Sequence, residues 1–237
     1  MPALTNARDV VALELPGHGA TPADADSGTF KGLADAVERF IDEQGLAGVD
    51  IVGSSLGGRI VLEMARRGRT GATIALDPGG FWRGWERRYF AITLGASIRL
   101  VRGLRPMLPG LARFVGTRSL LLAQLSARPW RLDADVVATE LQSFAETKTF
   151  DALVGDLAKA PEQVGPAAEP SHPIVIGWGR QDHLCLPRQA ARAQAAFPSA
   201  RLHWFDKCGH FPMWDQPEAT IRLILNETGK TPERAAL

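Results

Sequence analysis

The chain has 237 residues, of which 45% are hydrophobic and 22% are charged, and its formal net charge is +1. This length and apolar content are enough to bury a full core in one large α/β domain. Two cysteines are too few for a secreted disulfide framework, and no charged amino-terminal segment precedes an apolar stretch. A cytoplasmic protein is therefore expected. Because the sequence has no metal-ligand spacing and no phosphate-binding loop, neither a cofactor nor a metal is expected.

Apolar residues at helical spacing predict a helix that begins near Phe30 and ends at Gly45. The apolar residues 49–52 predict a strand, and the pentapeptide GSSLG of residues 53–57 leads from that strand into another apolar-periodic helix. A serine at the tip of a tight strand-to-helix turn has a strained backbone that holds its hydroxyl out of the sheet. Glycines two residues to either side leave room for strand and helix to approach. Ser55 is therefore the candidate nucleophile.

The helix that begins after Ser55 points its positive dipole end and its first backbone N–H groups at the reacting centre. The N–H group of Leu56 is therefore the candidate donor to an oxyanion. The pentapeptide alone also fits a glycine-rich turn. Its assignment as a nucleophile elbow depends on a base and a carboxylate elsewhere in the chain.

Residues 82–170 lack a clear alternation of strand and helix, and show helix-length apolar stretches broken by glycine and proline. Ten arginines between residues 82 and 132 stand against the single acid Glu86. A basic surface of this kind attracts anionic substrates or lipids, whereas the alternative is a set of amphipathic helices with solvated arginine faces. The arginines interrupt each apolar stretch before the ~20 residues that a membrane span needs. Nucleic-acid binding is not expected, because no recognised motif accompanies the charge.

The candidate orienting acid lies after the next strand. Residues 173–179 read as a buried parallel strand, and the loop that follows carries Asp182. An imidazole base has to be oriented by a third group, which makes Asp182 the preferred acid. Asp77 is the alternative, since it also follows an apolar strand, at residues 72–76. It precedes a proline, so the preferred interpretation of Asp77 is a turn residue.

Residues 201–205 predict one more strand, and His210 lies in the loop between it and a helix that runs through Trp214 and Leu225. An unactivated serine hydroxyl is a poor nucleophile, so His210 is the candidate base. Three other histidines fit this role less well: His203 lies inside a strand, His172 precedes a proline, and His183 adjoins the acid.

The order Ser55, Asp182, His210, each in a loop after a strand, resembles that of the α/β-hydrolase superfamily. Three sequences carry the resemblance, namely GSSLGG, GRQDHLCLP and CGHFPMWDQPE. A fourth segment, Val10–Gly19, resembles the strand and the loop that usually read D-x-x-G-x-G ahead of the elbow. Together these segments cover the chain except its middle third.

The resemblance implies an α/β fold with a mostly parallel sheet and flanking helices. It places a core at residues 1–81 and 171–237, and a helical cap at residues 82–170, inserted after the strand that ends near Asp77. It also implies a serine hydrolase that cleaves an ester or related carbonyl bond of a small apolar or anionic substrate. Dehalogenase and epoxide hydrolase chemistry is disfavoured, because those relatives use aspartate at the elbow.

The chain departs from the family pattern at its amino terminus, where it starts at what resembles the family's fourth strand. The family's third strand normally lies between the fourth and fifth, and the loop after it supplies the second oxyanion N–H. The pair His18-Gly19 resembles that loop's His-Gly but lies one strand too late. Loss of one oxyanion donor lowers a rate by about a hundred- to a thousandfold. We therefore expect an incomplete hydrolase, and the alternative function is a non-catalytic small-molecule-binding or truncated, inactive family member.

Overall fold

The computed structural model describes residues 2–229, which form a parallel four-stranded sheet with helices packed around it. The strands are β1 (Ile51–Ser54), β2 (Thr73–Leu76), β3 (Ile174–Gly179) and β4 (Arg201–Phe205). The helices before β3 are α1 (Pro2–Thr5), α2 (Phe30–Glu43), α3 (Leu56–Arg66), α4 (Trp85–Gly103), α5 (Leu108–Arg113), α6 (Val115–Leu121), α7 (Ala134–Glu146) and α8 (Phe150–Lys159). Those after it are α9 (Ala190–Ala196), α10 (Pro212–Asp215) and α11 (Pro217–Glu227).

The strands follow one another in the order β1-β2-β3-β4, and every neighbouring pair is parallel. The carboxyl ends of parallel strands meet at one edge of the sheet, so the loops that follow β1, β3 and β4 converge there. This arrangement confirms the predicted α/β-hydrolase fold with its mostly parallel sheet and flanking helices.

Alternating side chains of β3 supply the two faces of the sheet. Ile174, Ile176 and Trp178 belong to the main buried cluster, which also includes residues of α2, α3 and α9. Val175 belongs to a separate cluster that includes Leu223 of α11. This two-residue period is the pattern expected of a strand that is covered on both faces.

The described residues between β2 and β3 contain helices and no strand. Helix α4 packs against α7 and α8, and α5 packs against α7. Leu108, Leu122 and Leu141 are the centre of a buried cluster of their own, whereas Leu153 of α8 joins the main core. This segment therefore packs partly on itself and partly on the sheet domain.

The strand expected within Val10–Gly19 does not form. Residues 9–15 have no regular secondary structure, and Val11 has 63% of its surface exposed. A strand needs a neighbour for its backbone hydrogen bonds, and the third strand, which lies beside the fourth in the family pattern, is not among the described strands. Residues 9–15 therefore do not join the sheet.

The single helix expected through Trp214 and Leu225 is divided into α10 and α11. Proline has no backbone N–H and is favoured at the first position of a helix, so Pro217 starts α11 instead of continuing α10.

Candidate active site

Ser55 forms the turn between β1 and α3. Its backbone has φ 55° and ψ −113°, a strained conformation for a residue other than glycine. Its N–H donates to the Leu76 carbonyl of β2 at 2.9 Å, and its own carbonyl accepts from the Gly79 N–H at 3.2 Å. These bonds to the neighbouring strand and its loop hold the turn in place. The strained serine conformation predicted from GSSLG is therefore present.

Only some of the glycines around Ser55 are needed for close approach. A Cβ on Gly53 would lie 2.2 Å from the Gly57 carbonyl oxygen, and one on Gly58 would lie 3.0 Å from the Leu76 carbonyl oxygen. A Cβ on Gly57 would meet no atom within 4 Å. Strand β1 and helix α3 therefore approach closely at Gly53, and α3 approaches the end of β2 at Gly58. The sequence pattern predicted that glycine is also required at position 57, but the structure shows no close contact there.

His210 joins the other two predicted residues in one hydrogen-bonded series. Its Nε2 lies 2.7 Å from the Ser55 hydroxyl, and its Nδ1 lies 2.8 Å from Asp182 Oδ2. Because a carboxylate only accepts, Nδ1 is the protonated nitrogen, and Nε2 is left to accept from the Ser55 hydroxyl. Both His210 and Asp182 are buried. The structure thus brings together all three residues selected from the sequence.

Asp182 is fixed from two sides in the loop after β3. Its Oδ1 accepts the N–H groups of Leu184 at 2.7 Å and Cys185 at 2.9 Å, which leaves Oδ2 for His210. The preceding Gly179 lets the two loops meet, since a Cβ there would lie 2.0 Å from the Gly209 carbonyl oxygen. The acid loop and the histidine loop therefore position one another.

Asp215 anchors the histidine loop to the helical segment, and sequence reasoning did not single it out. Its carboxylate accepts from the Gly209 N–H at 2.7 Å, the Ala127 N–H at 2.8 Å and the Ser126 hydroxyl at 2.5 Å. The His210 N–H donates to the Leu125 carbonyl at 2.9 Å. The only sequence signal for this role was the position of Asp215 within CGHFPMWDQPE.

Asp77, the alternative acid, is buried beside Asp182 and does not bond to His210. Its φ is 44°, and its Oδ1 accepts the Gly179 N–H at 2.8 Å. Burial, followed by the negative charge of Asp182, raises the pKa of Asp77 well above its usual range. This raised pKa favours the protonated form of Asp77, whose carboxyl group braces the end of β3.

Leu56 is the first residue of α3, so its N–H has no carbonyl one turn earlier in the helix. Leu56 lines the same cavity as Ser55. His18 also lines this cavity, with its Nδ1 3.1 Å from the Pro16 carbonyl oxygen. The loop that carries His18 therefore reaches the site although residues 2–17 contain no strand.

A cavity of about 290 Å³ opens beside Ser55 and His210. It lies between the sheet domain and the helices that connect β2 to β3. Its lining is mainly apolar and includes Trp82, Phe90, Leu94, Ile98, Leu141 and Leu153. Such a cavity suits a small apolar substrate or the apolar part of a larger one.

Asp182, Cys185 and His210 place potential metal-ligand atoms within 4.8 Å of one another. Asp182 and His210 are already bonded to each other, however, and burial raises the pKa of the Cys185 thiol well above its usual range. A thiol binds metals as the thiolate, so this environment disfavours ligation. Hydrogen bonds to Asp182 account for the positions of the His210 ring and the Cys185 backbone.

Several arginines of residues 82–132 pair with acids outside that range. Arg83 contacts Glu162 at 2.7 Å, and Arg102 contacts Asp151 at 2.5 Å. The buried Glu86 pairs instead with Arg188, at 2.6 Å, and with Arg192. The local excess of positive charge is therefore partly compensated. Within residues 2–229, no helix has both the length and the apolar composition needed to cross a bilayer.

The sequence matches the model of the α/β hydrolase family over residues 1–223. The chain therefore belongs to that family, and it is an enzyme of the hydrolase class, as most of its named relatives are. A hydrolase of Pseudomonas aeruginosa has a similar fold, with a TM-score of 0.69 at 20% identity over 97% of this chain and 83% of that one.

Named relatives have varied activities. An epoxide hydrolase of Mycobacterium tuberculosis is 30% identical over 81% of this chain and 91% of its own. A 2-hydroxy-6-oxononadienedioate/2-hydroxy-6-oxononatrienedioate hydrolase of Dechloromonas aromatica is 26% identical over 92% and 75%. The dihydrolipoyllysine-residue acetyltransferase component of an acetoin cleaving system from Cupriavidus necator is 30% identical over 95% of this chain, which spans 58% of that protein.

Proposed function

We propose that this protein is a serine hydrolase that cleaves an ester or a related carbonyl bond. Ser55 is the nucleophile, His210 is the general base, and Asp182 orients His210. The Leu56 N–H stabilises the oxyanion. One observation carries the proposal: the strained Ser55 shares a hydrogen bond with His210 at 2.7 Å, and His210 is held by Asp182 at 2.8 Å.

In the proposed reaction, Ser55 Oγ attacks the substrate carbonyl carbon while its proton passes to His210 Nε2. The Asp182 side chain, which is bonded to Nδ1, stabilises the resulting imidazolium. Negative charge develops on the carbonyl oxygen, next to the Leu56 N–H and the positive end of the α3 dipole. The tetrahedral intermediate expels the alcohol, which takes the proton from His210. Water then hydrolyses the acyl-enzyme with His210 again as base.

A second candidate reaction is the hydrolysis of an unsaturated dicarboxylate that carries a ketone group. It is favoured by the name of the Dechloromonas aromatica relative, a 2-hydroxy-6-oxononadienedioate hydrolase. Epoxide hydrolysis remains disfavoured despite the Mycobacterium tuberculosis relative, because the elbow residue here is serine. Both favoured reactions begin with a carbonyl group next to Ser55.

We also propose that residues 82–170 act as a cap that determines substrate preference, on a core of residues 1–81 and 171–237. The cavity supports this division, since most of its apolar lining comes from residues between β2 and β3. A cytoplasmic location is proposed from the two cysteines, Cys185 and Cys208, which are both buried and free.

The proposed function is tested by labelling with a fluorophosphonate probe, which reacts with base-activated serines whatever their natural substrate. Wild-type protein and the control variant Ser54→Ala should label, whereas Ser55→Ala and His210→Ala should not. Ser54 is a matched control because it is the adjacent serine, at the end of β1. Labelling that persists in Ser55→Ala contradicts the assignment. Absence of labelling in the folded wild type supports the non-catalytic alternative.

A further inference from the structure

Arg59 is a buried cation in the wall of the cavity that contains Ser55. Only 2% of its surface is exposed. Its Nη2 donates to the Pro161 carbonyl at 2.8 Å, and its Nε donates to Gln163 Oε1 at 3.3 Å. Its Nη1 is buried and has no acceptor in the described part of the chain. A buried guanidinium N–H without an acceptor lowers the stability of the fold. Its presence indicates that a ligand supplies the acceptor.

The acids nearest to Arg59 are committed to other donors. Glu63 accepts from Arg66 at 2.6 Å, Arg67 at 2.8 Å and Gln163 at 3.1 Å. Asp156 accepts from the Phe30 N–H at 2.8 Å. These two acids act on Arg59 through charge alone, and burial lowers its pKa to about 10. Arg59 therefore remains protonated at neutral pH.

The position of Arg59 in α3 directs it towards the reacting centre. It follows Ser55 by four residues, so the two share a helix face about 6 Å apart along the axis. Side chains in a helix lean towards its amino terminus, which here is the end that carries Ser55. Nη1 itself is almost fully covered, so a bound carboxylate requires the cavity side chains next to it to move apart.

The guanidinium of Arg59 is also held rigidly. It stacks 4.0 Å from the centre of the Phe30 ring. Gly80, with φ 99°, passes so close that a Cβ there would lie 2.6 Å from Arg59 Nε. A guanidinium that is already immobilised loses little entropy when it binds an anion.

We propose that Arg59 binds a carboxylate of the substrate, so that the protein prefers a carbonyl compound with an acid group at its far end. The inference rests on the proposed function, because it assumes that the carbonyl group lies at Ser55. The apolar cavity holds the chain between the two groups, and Arg59 Nη1 donates to the carboxylate. The competing explanation is that Arg59 serves only to fasten residues 161–163 to α3.

The preference is tested with two esters that differ only at the far end, 4-nitrophenyl hydrogen adipate and 4-nitrophenyl hexanoate. Release of 4-nitrophenolate gives kcat/KM for each. Arg59→Gln should lower kcat/KM for the adipate ester by about ten- to a hundredfold, the size expected for a lost charge-assisted hydrogen bond. The same variant should change the hexanoate value by less than about threefold.

Two further variants serve as controls. Arg59→Lys keeps the charge and should retain part of the adipate preference. Arg87→Gln removes a nearby arginine that donates to the Ala160 carbonyl at 3.0 Å, and should leave the preference unchanged. An equal loss on both esters in Arg59→Gln, or no loss on either, overturns the carboxylate subsite. Retained hexanoate turnover shows that the variant is folded.

A binding experiment separates the subsite from the reaction. In the Ser55→Ala background, monomethyl adipate should bind at least about tenfold more tightly than dimethyl adipate, measured by titration calorimetry. Adding Arg59→Gln should abolish that difference. If the difference is present but the wild type hydrolyses no ester, the subsite stands and the proposed function fails. If esters are hydrolysed but the difference is absent, the function stands and the subsite fails.

Discussion

The inner strand β3 and the edge strand β1 are buried to different degrees, and the predicted site residues follow strands in both regions. Here the buried side of the sheet is the region of β3, and the edge is β1. Every residue of β3 is buried, and the loops after β3 and β4 carry Asp182 and His210. Strand β1, which leads to Ser55, lies at the edge, and 39% of Val52 is exposed. Asp182 and His210 are themselves buried, although β4 is also an edge strand, so packing around the two side chains positions the acid and the base. Ser55 depends on backbone hydrogen bonds to β2 and the loop after it.

The largest expected effect concerns which carboxyl on the buried side orients His210. Asp182→Asn should lower kcat on an activated ester by about a thousand- to ten-thousandfold, because an amide favours the wrong histidine tautomer. Asp77→Asn should change kcat by less than about tenfold, since its amide oxygen can still accept the Gly179 N–H. A larger loss in Asp77→Asn than in Asp182→Asn would show that the acid was wrongly assigned.

Glycine-to-alanine substitutions test how far the backbone around β3 and around β1 can shift to accept an added methyl group. Gly179→Ala should destabilise most, because its Cβ would lie 2.0 Å from the Gly209 carbonyl oxygen between two buried loops. Gly53→Ala meets the Gly57 carbonyl oxygen at 2.2 Å, but on an edge strand that can shift. We expect losses of about 3 and about 1–2 kcal/mol in the free energy of unfolding, measured in urea.

Gly57→Ala is the control for both substitutions, since its Cβ would meet no atom within 4 Å. Alanine is a better helix former than glycine, so this variant should be stabilised by roughly 0.5–1 kcal/mol. Destabilisation of Gly57→Ala to the extent of Gly53→Ala would mean that the elbow needs both glycines.

The features that sequence predicted well are those that depend on local pattern. Apolar strands, glycines at tight turns and loops after strands are visible in the chain itself, and they led to the four strands and to the meeting of Ser55, Asp182 and His210. The roles of those three residues remain predictions. The strand within Val10–Gly19 was wrong because a strand depends on a hydrogen-bonding neighbour, which the pattern of one segment does not reveal.

Two side chains show why the rest of the site was not predictable. Asp215 accepts hydrogen bonds from residues nearly ninety positions away in the chain. Arg59 is a candidate binding residue because its buried Nη1 has no hydrogen-bond acceptor among the described residues. Both facts arise from tertiary packing and leave no periodic signal in the sequence. The arginine count of residues 82–132 indicated a basic cap, yet Arg59 lies outside that range, directly after the elbow.

A matched pair of valines measures the difference in burial directly. Val175→Ala, at a position only 2% exposed on β3, should cost about 2 kcal/mol in the free energy of unfolding. Val52→Ala, at 39% exposed on β1, should cost less than about 1 kcal/mol. Equal losses in urea unfolding would indicate that the edge of β1 is covered in solution, for instance by a second copy of the chain.

The smallest expected effect is the pH dependence of stability, which differs in sign between two buried acids. Burial, followed by the charge of Asp182, raises the pKa of Asp77. The contribution of Asp77 to the free energy of unfolding is therefore fully present below the ordinary Asp pKa of 3.8. That contribution is lost as pH rises through the folded-state value. Asn cannot ionise, so the melting temperature of Asp77→Asn should rise relative to wild type as pH increases.

The stability contribution of Glu63 depends on pH in the opposite direction. Burial alone would raise its pKa, but hydrogen bonds from Arg66, Arg67 and Gln163 lower it to about 2. Its contribution is therefore present above its ordinary pKa of 4.5 and is lost as pH falls towards about 2. Glu63→Gln should be less stable than wild type near neutral pH, and the difference should shrink in acid. Melting curves in which Asp77→Asn follows the trend of Glu63→Gln would mean that Asp77 is ionised, and that the buried side of the sheet holds two carboxylate charges at once.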